Sequence, residues 1–173
     1  YVGASRTFKT IQAAIDDPGT RDGDLILVEP GLYEEAPIVW KRVRVQGYGA
    51  PATLVNASMG ADYLRQAAWR QKACDLVLNQ GMAAALLPGQ TVPANMAACL
   101  TGDTVDNAPL LFATEEASGF FILQRPLQGN AASFANGPFI PASNNNNTRP
   151  VRALQIDGFT VTGADTGGGI VAN

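Results

Sequence analysis

Apolar residues in this chain come in short runs whose period changes only a few times. Over residues 7–17, Phe8, Ile11 and Ile15 recur at i, i+3 and i+7 with Ala14 beside them, which predicts a short helix with one apolar stripe. Thr7 is its expected N-cap, and Pro18-Gly19 stops it. The acidic doublet Asp16-Asp17 sits at the unfavourable end of the helix dipole, so the chain is expected to turn away promptly there. Asp24 to Val28 is a continuous aliphatic run between Gly23 and Pro30-Gly31, which predicts a buried strand. Val43 to Gln46 and Thr53 to Val55 follow as short strands closed by glycines. The same texture returns at Leu154 to Asp157, Phe159 to Thr162 and Ile170-Val171, with Gly158 and Gly163 as corners. Strands this short, parted by single turn residues and lacking two-residue hairpin loops, predict coils stacked on one another.

Residues 59–150 break this texture. Within them Trp69, Ala73, Leu76 and Val77 fall at i, i+4, i+7 and i+8, which predicts a helix over residues 62–79. Pro88, Pro93, Pro109, Pro126, Pro138 and Pro141 divide the rest into loops, with one strand expected at residues 119–124. An excursion of that length exceeds ordinary loops and is apolar enough to pack, so specificity is expected to lie there and scaffold on either side.

Composition narrows the chemistry. With 173 residues, 46% of them hydrophobic, the chain is one domain or part of one. Twelve Lys and Arg against 15 Asp and Glu give a net charge of −3, with no basic cluster of the kind a nucleic-acid or anionic-membrane surface needs. There is no histidine, hence no Ser-His-Asp triad and no His-ligated metal. The longest weakly charged stretch, Met82 to Leu100, is interrupted by Pro88, Gly89 and Pro93, so no membrane span is expected. The sequence opens on Tyr1 without a basic-then-apolar leader, which suits a secreted or cell-surface chain whose leader has been removed. In such a chain Cys74 and Cys99 read as one disulfide, with two buried free thiols as the alternative.

Two segments carry a family resemblance. Phe8-Lys9-Thr10-Ile11-Gln12-Ala13-Ala14-Ile15 followed by Gly23-Asp24-Leu25-Ile26-Leu27-Val28-Glu29-Pro30-Gly31-Leu32-Tyr33-Glu34-Glu35 resembles the opening of right-handed parallel β-helix proteins of the pectin-lyase-like group. Residues 151–173, with Ile156-Asp157-Gly158-Phe159-Thr160-Val161-Thr162-Gly163, look like later turns of the same coil. The resemblance implies a mainly β solenoid: a capping helix and first turns in residues 1–58, a large, partly helical insertion in 59–150, and continuing turns in 151–173. An uncapped coil exposes a backbone edge and an apolar lumen, and the Phe8/Ile11/Ile15 stripe is a suitable lid. No second lid is evident before Asn173, so either more of the same chain or a partner is expected to complete the coil.

Enzymes of that group place carboxylates and basic residues along successive turns. Their motifs are absent here: the sequence has no Asp-Asp pair within a strand, Gly-His, Arg-Ile-Lys or Gln-Asp-Thr. No catalytic residue is therefore assigned, and Asp157 and Asp165 are read as turn carboxylates. Neighbours on a strand face opposite sides, so Glu34-Glu35 is not a natural acid/base pair. Asp103, Asp106 and Asn107 offer loop oxygens for a candidate Ca²⁺ shell, and no other cofactor is expected. Trp69 with Arg65, Arg70 and Lys72 is a candidate ligand surface, as is Trp40 near Tyr33 and Tyr48; packing of those rings is the competing reading. Asn56-Ala57-Ser58 and Asn146-Asn147-Thr148 match the N-glycosylation pattern. The expected role is a non-catalytic extracellular recognition or assembly scaffold, directed at a polysaccharide or another surface protein. The alternative is the front part of a polysaccharide lyase, hydrolase or esterase with catalytic turns beyond Asn173.

Overall fold

In the computed structural model, the described residues are 1–58, 63–80, 95, 118–123, 154–164 and 169–172. Nine short strands and two helices lie among them: α1 (Ile11–Asp16), β1 (Leu25–Val28), β2 (Gly31–Tyr33), β3 (Ile38–Val39), β4 (Arg44–Gly47), β5 (Thr53–Asn56), α2 (Tyr63–Leu78), β6 (Phe120–Ile122), β7 (Gln155–Asp157), β8 (Thr160–Thr162) and β9 (Ile170–Ala172). Every pairing between these strands is parallel, and each strand pairs with the one three places later: β1–β4–β7, β2–β5–β8 and β3–β6–β9. The protein is therefore mainly β, with three three-stranded parallel sheets among the described residues.

Register explains why short aliphatic runs suffice. Ile26, Val45 and Ile156 align in the first sheet, and Tyr33, Val55 and Val161 in the second. These columns join Val39, Phe120, Ile122 and the helix residues Ile11 and Ile15 in one core cluster. Such side chains suit a pleated surface, and aligning like with like fills the interior evenly. At the corner after β7, Gly158 has φ +78° and its Cα lies so near β4 that a Cβ would stand 2.5 Å from the Gly47 carbonyl oxygen.

In the third sheet β3 and β6 are buried on both faces. Val39, Phe120 and Ile122 look into the core, while Ile38, Phe121 and Leu123 meet Ala73, Cys74, Leu76 and Val77 of α2. The predicted stripe on that helix is thus the face that docks. Phe120–Ile122, read from sequence as a strand inside the 59–150 excursion, is the middle strand of this sheet. Strands β2 and β3 leave no mark in the sequence pattern, because three and two residues are too few for a period to register.

Residues 1–17 cover the first strands. The helix is shorter than the predicted 7–17, and its N-cap is Thr10, not Thr7; the Thr10 hydroxyl accepts the Ala13 N–H at 3.1 Å. Residue 8 cannot belong to the helix because it bridges Val2 in extended form. Val2 lies along the edge of β1, donating to the Leu27 carbonyl at 2.8 Å and accepting from the Glu29 N–H at 2.9 Å. Under β3, the Gln12 side-chain amide accepts from the Ile38 N–H at 2.7 Å and donates to the Ile38 carbonyl at 3.2 Å, imitating a strand.

Candidate functional site

The described residues hold a cleft of about 280 Å³ between the residue 4–10 segment and β2, lined by Lys9, Thr10, Gly31, Tyr33, Glu34 and Glu35 among others. Alternation along the extended chain decides what faces it. Tyr33 turns inward, only 7% exposed, and donates its hydroxyl to the Glu29 carbonyl at 2.8 Å. Burial raises the Tyr33 phenol above its ordinary value, and the Glu29 and Glu35 charges add to that. Leu32 turns outward and is 61% exposed, and Glu34 is exposed two residues on.

Glu35 turns the other way, as adjacency on a strand requires. Its two carboxylate oxygens accept the Ile11 and Gln12 N–H groups at 2.6 and 2.9 Å, satisfying orphan donors at the start of α1. Burial nevertheless holds the carboxyl above the usual glutamate range, because desolvation outweighs those two bonds and the nearby Arg65 charge, and Asp16 adds a smaller push upward. Glu34 and Glu35 therefore do not converge on a common point, and Glu35 serves the backbone.

The other predicted site residues fall in several places. Asp16 gathers three elements: its oxygens accept from Gln12, from the Trp40 indole at 2.8 Å, and from Lys72 of α2 in an ion pair. Trp40 is thus half-buried and tied inward, with the Lys41 ammonium 4.8 Å from its ring centre. Trp69 packs its ring 5.3 Å from that of Phe121 and donates its indole N–H to the Ala36 carbonyl at 2.9 Å. Arg65 is exposed and donates to the Glu34 carbonyl at 2.8 Å, and Arg70 is half-buried on the same helix. Tyr48 is 56% exposed. Asp157 is exposed at the end of β7, in register with Gln46. Asn56 uses its side-chain oxygen to accept the Ser58 N–H at 3.2 Å.

Asp103, Asp106, Asn107, Asp165 and Asn146 lie outside the described residues. Among the described residues no group of three or more His, Cys, Asp or Glu is placed to hold a metal. Cys74 is buried against Phe121 and Leu123 and is disulfide-bonded, whereas Cys99 lies outside the described residues. Sequence reasoning missed Gln12 and Leu32. Neither carries a motif, since their significance comes from the strand edges they meet.

No protein-family profile matches the chain, and no solved structure matches it. A segment of 56 residues, 32% of this chain, is 43% identical to part of a cell surface glycoprotein from Methanothermus fervidus. The matched stretch spans 9% of that relative's length. Among the described residues no helix is long and apolar enough to cross a membrane.

Proposed function

We propose that this chain is a right-handed parallel β-helix segment of the pectin-lyase-like kind, acting outside the cell as a non-catalytic recognition or assembly scaffold. The observation that carries this reading is the repeated pairing of each strand with the third one after it, which lets a coil extend turn by turn with one continuous core. A stack of this kind presents long regular faces, which is what a surface lattice or recognition module uses. The partial likeness to a cell surface glycoprotein supports the location. The duties of the acidic side chains support the non-catalytic part: Glu29 pairs with Arg6, Glu35 holds α1, and Asp16 ties α1 to Trp40 and Lys72. Residues 59–150, apart from the buried strand β6, supply the recognition surface, with the Cys74–Cys99 pairing as its internal tie and a polysaccharide or another surface protein as its target.

Incubation of the 173-residue chain with a panel of acidic and neutral polysaccharides, with and without Ca²⁺, tests this reading. Retention without new reducing ends or unsaturated uronates is the expected result. Product release by the purified chain would overturn the non-catalytic assignment, and absence of the protein from the protease-accessible surface of intact source cells would overturn the location.

A further inference from the structure

Among the described residues, the segment beneath the first strands meets the end of the β1 edge and the β3 edge but not the edge of β2. In a parallel ladder, alternate residues turn their N–H and C=O to opposite neighbours. On the outward edge of β1, Val2 meets the Leu27 carbonyl and, just past the strand, the Glu29 N–H, while the Leu25 backbone also faces outward. On β3 the outward residue is Ile38, since Phe121 and Leu123 donate to the carbonyls on either side of it, Pro37 and Val39. The Gln12 amide meets Ile38 from below. On β2, Gly31 donates to the Ala52 carbonyl of the strand above, so Leu32 is the residue whose backbone faces outward. No described residue bonds the Leu32 N–H or C=O, and the 280 Å³ cleft lies alongside β2.

We propose that this open edge of β2 docks an extended peptide from a partner, one whose side chains alternate apolar and basic along one face. An unpaired N–H and C=O on a strand edge recruit another strand, and the cleft, at about 280 Å³, is smaller than the pockets that take compact ligands. The side chains state the partner's chemistry. Leu32 and Glu34 share the outer face, one apolar and 61% exposed, the other an exposed carboxylate with no ion pair among the described residues. The cations near the cleft are turned to backbone: Lys9 donates to the Ala4 carbonyl at 2.6 Å and Arg65 to the Glu34 carbonyl. A partner strand therefore sets an apolar residue beside Leu32 and a Lys or Arg beside Glu34, the favourable cross-strand combination. This goes beyond the scaffold reading, because the strand edge exists whatever the chain's wider role.

The test uses an acetylated, amidated pentapeptide Val-Thr-Lys-Thr-Val, whose valines and lysine share one face, titrated into the 173-residue chain with amide shifts and heat as readouts. Binding is expected, with shifts centred on residues 31–35. N-methylation of the central peptide amides should weaken it roughly tenfold, the worth of one backbone hydrogen bond. Leu32→Pro removes the outward N–H together with the leucine side chain, a change that edge strands tolerate, and should weaken binding by at least a similar factor. Glu34→Lys should transfer preference to the same peptide with glutamate in place of lysine. No binding of the valine-lysine peptide overturns the proposal, as does binding indifferent to N-methylation or to the Glu34 charge. The N-methylated peptide and Glu34→Lys decide the matter even where Leu32→Pro fails to fold.

Discussion

Glu35 sets desolvation against hydrogen bonding. Its carboxyl titrates above the usual range because burial outweighs the two backbone N–H groups that favour the charged form. The folded protein therefore keeps this proton to higher pH than the unfolded chain. Glu35's contribution to stability accordingly falls as pH rises from the ordinary value, 4.5, through the raised one. Thermal unfolding followed from about pH 4 to about pH 7 should show that decline, and Glu35→Gln should flatten it. Parallel curves for the two proteins would remove Glu35 as its source. Gly158 gives a second residue-level prediction: with φ +78° and the Gly47 carbonyl 2.5 Å from a built Cβ, Gly158→Ala should cost at least about 1–3 kcal/mol by denaturant unfolding. An unchanged midpoint would contradict the close approach. The sequence marked Gly158 as a corner because glycine after a strand has a local meaning. It had no comparable signal for Glu35, whose partners are 24 and 23 residues away.

At the scale of elements, the Gln12 side chain behaves as a strand of one residue. Gln12→Ala would strand the N–H and C=O of Ile38, a fully buried residue, and should cost about 1–3 kcal/mol while speeding hydrogen exchange at the Ile38 amide. Exchange at Ile38 no faster than in the parent would argue against this cap. Helix α2 should depend equally on Phe121, which is 4% exposed beneath it. Phe121→Ala should cost about 3–5 kcal/mol and loosen the Trp69 indole, seen as a red-shifted fluorescence maximum. An unshifted spectrum would place the helix's anchorage elsewhere. The α2 stripe was legible because Ala73, Leu76 and Val77 repeat at helical spacing. What it packs against was not, since sheet membership of Phe120–Ile122 depends on β3 and β9, far off in the chain.

For the molecule as a whole, long-range pairing sets the order of stability. The ladder joins residues as distant as Arg44 and Gln155, 111 positions apart, so the sheets form only when the intervening chain is drawn together. Cys74 sits in the second core and is disulfide-bonded. If its partner is Cys99, the only other cysteine, intact mass under denaturing, non-reducing conditions should show no alkylation. Reduction should then lower stability by about 3 kcal/mol. Alkylation of both thiols without reductant would contradict that pairing. The sequence by itself determined what local physics can determine: short β-branched strands, glycine corners, a capping helix of about the right place and an amphipathic second helix. Burial of side chains at period two or 3.6 leaves its mark in any window of a few residues. Tertiary structure alone decided the three-apart pairing, the place of β6 in the third sheet, and which strand edges the first residues cover. A backbone hydrogen bond carries no residue code, so nothing in the letters distinguishes Ile38, whose outward N–H and C=O are met, from Leu32, whose own no described residue meets.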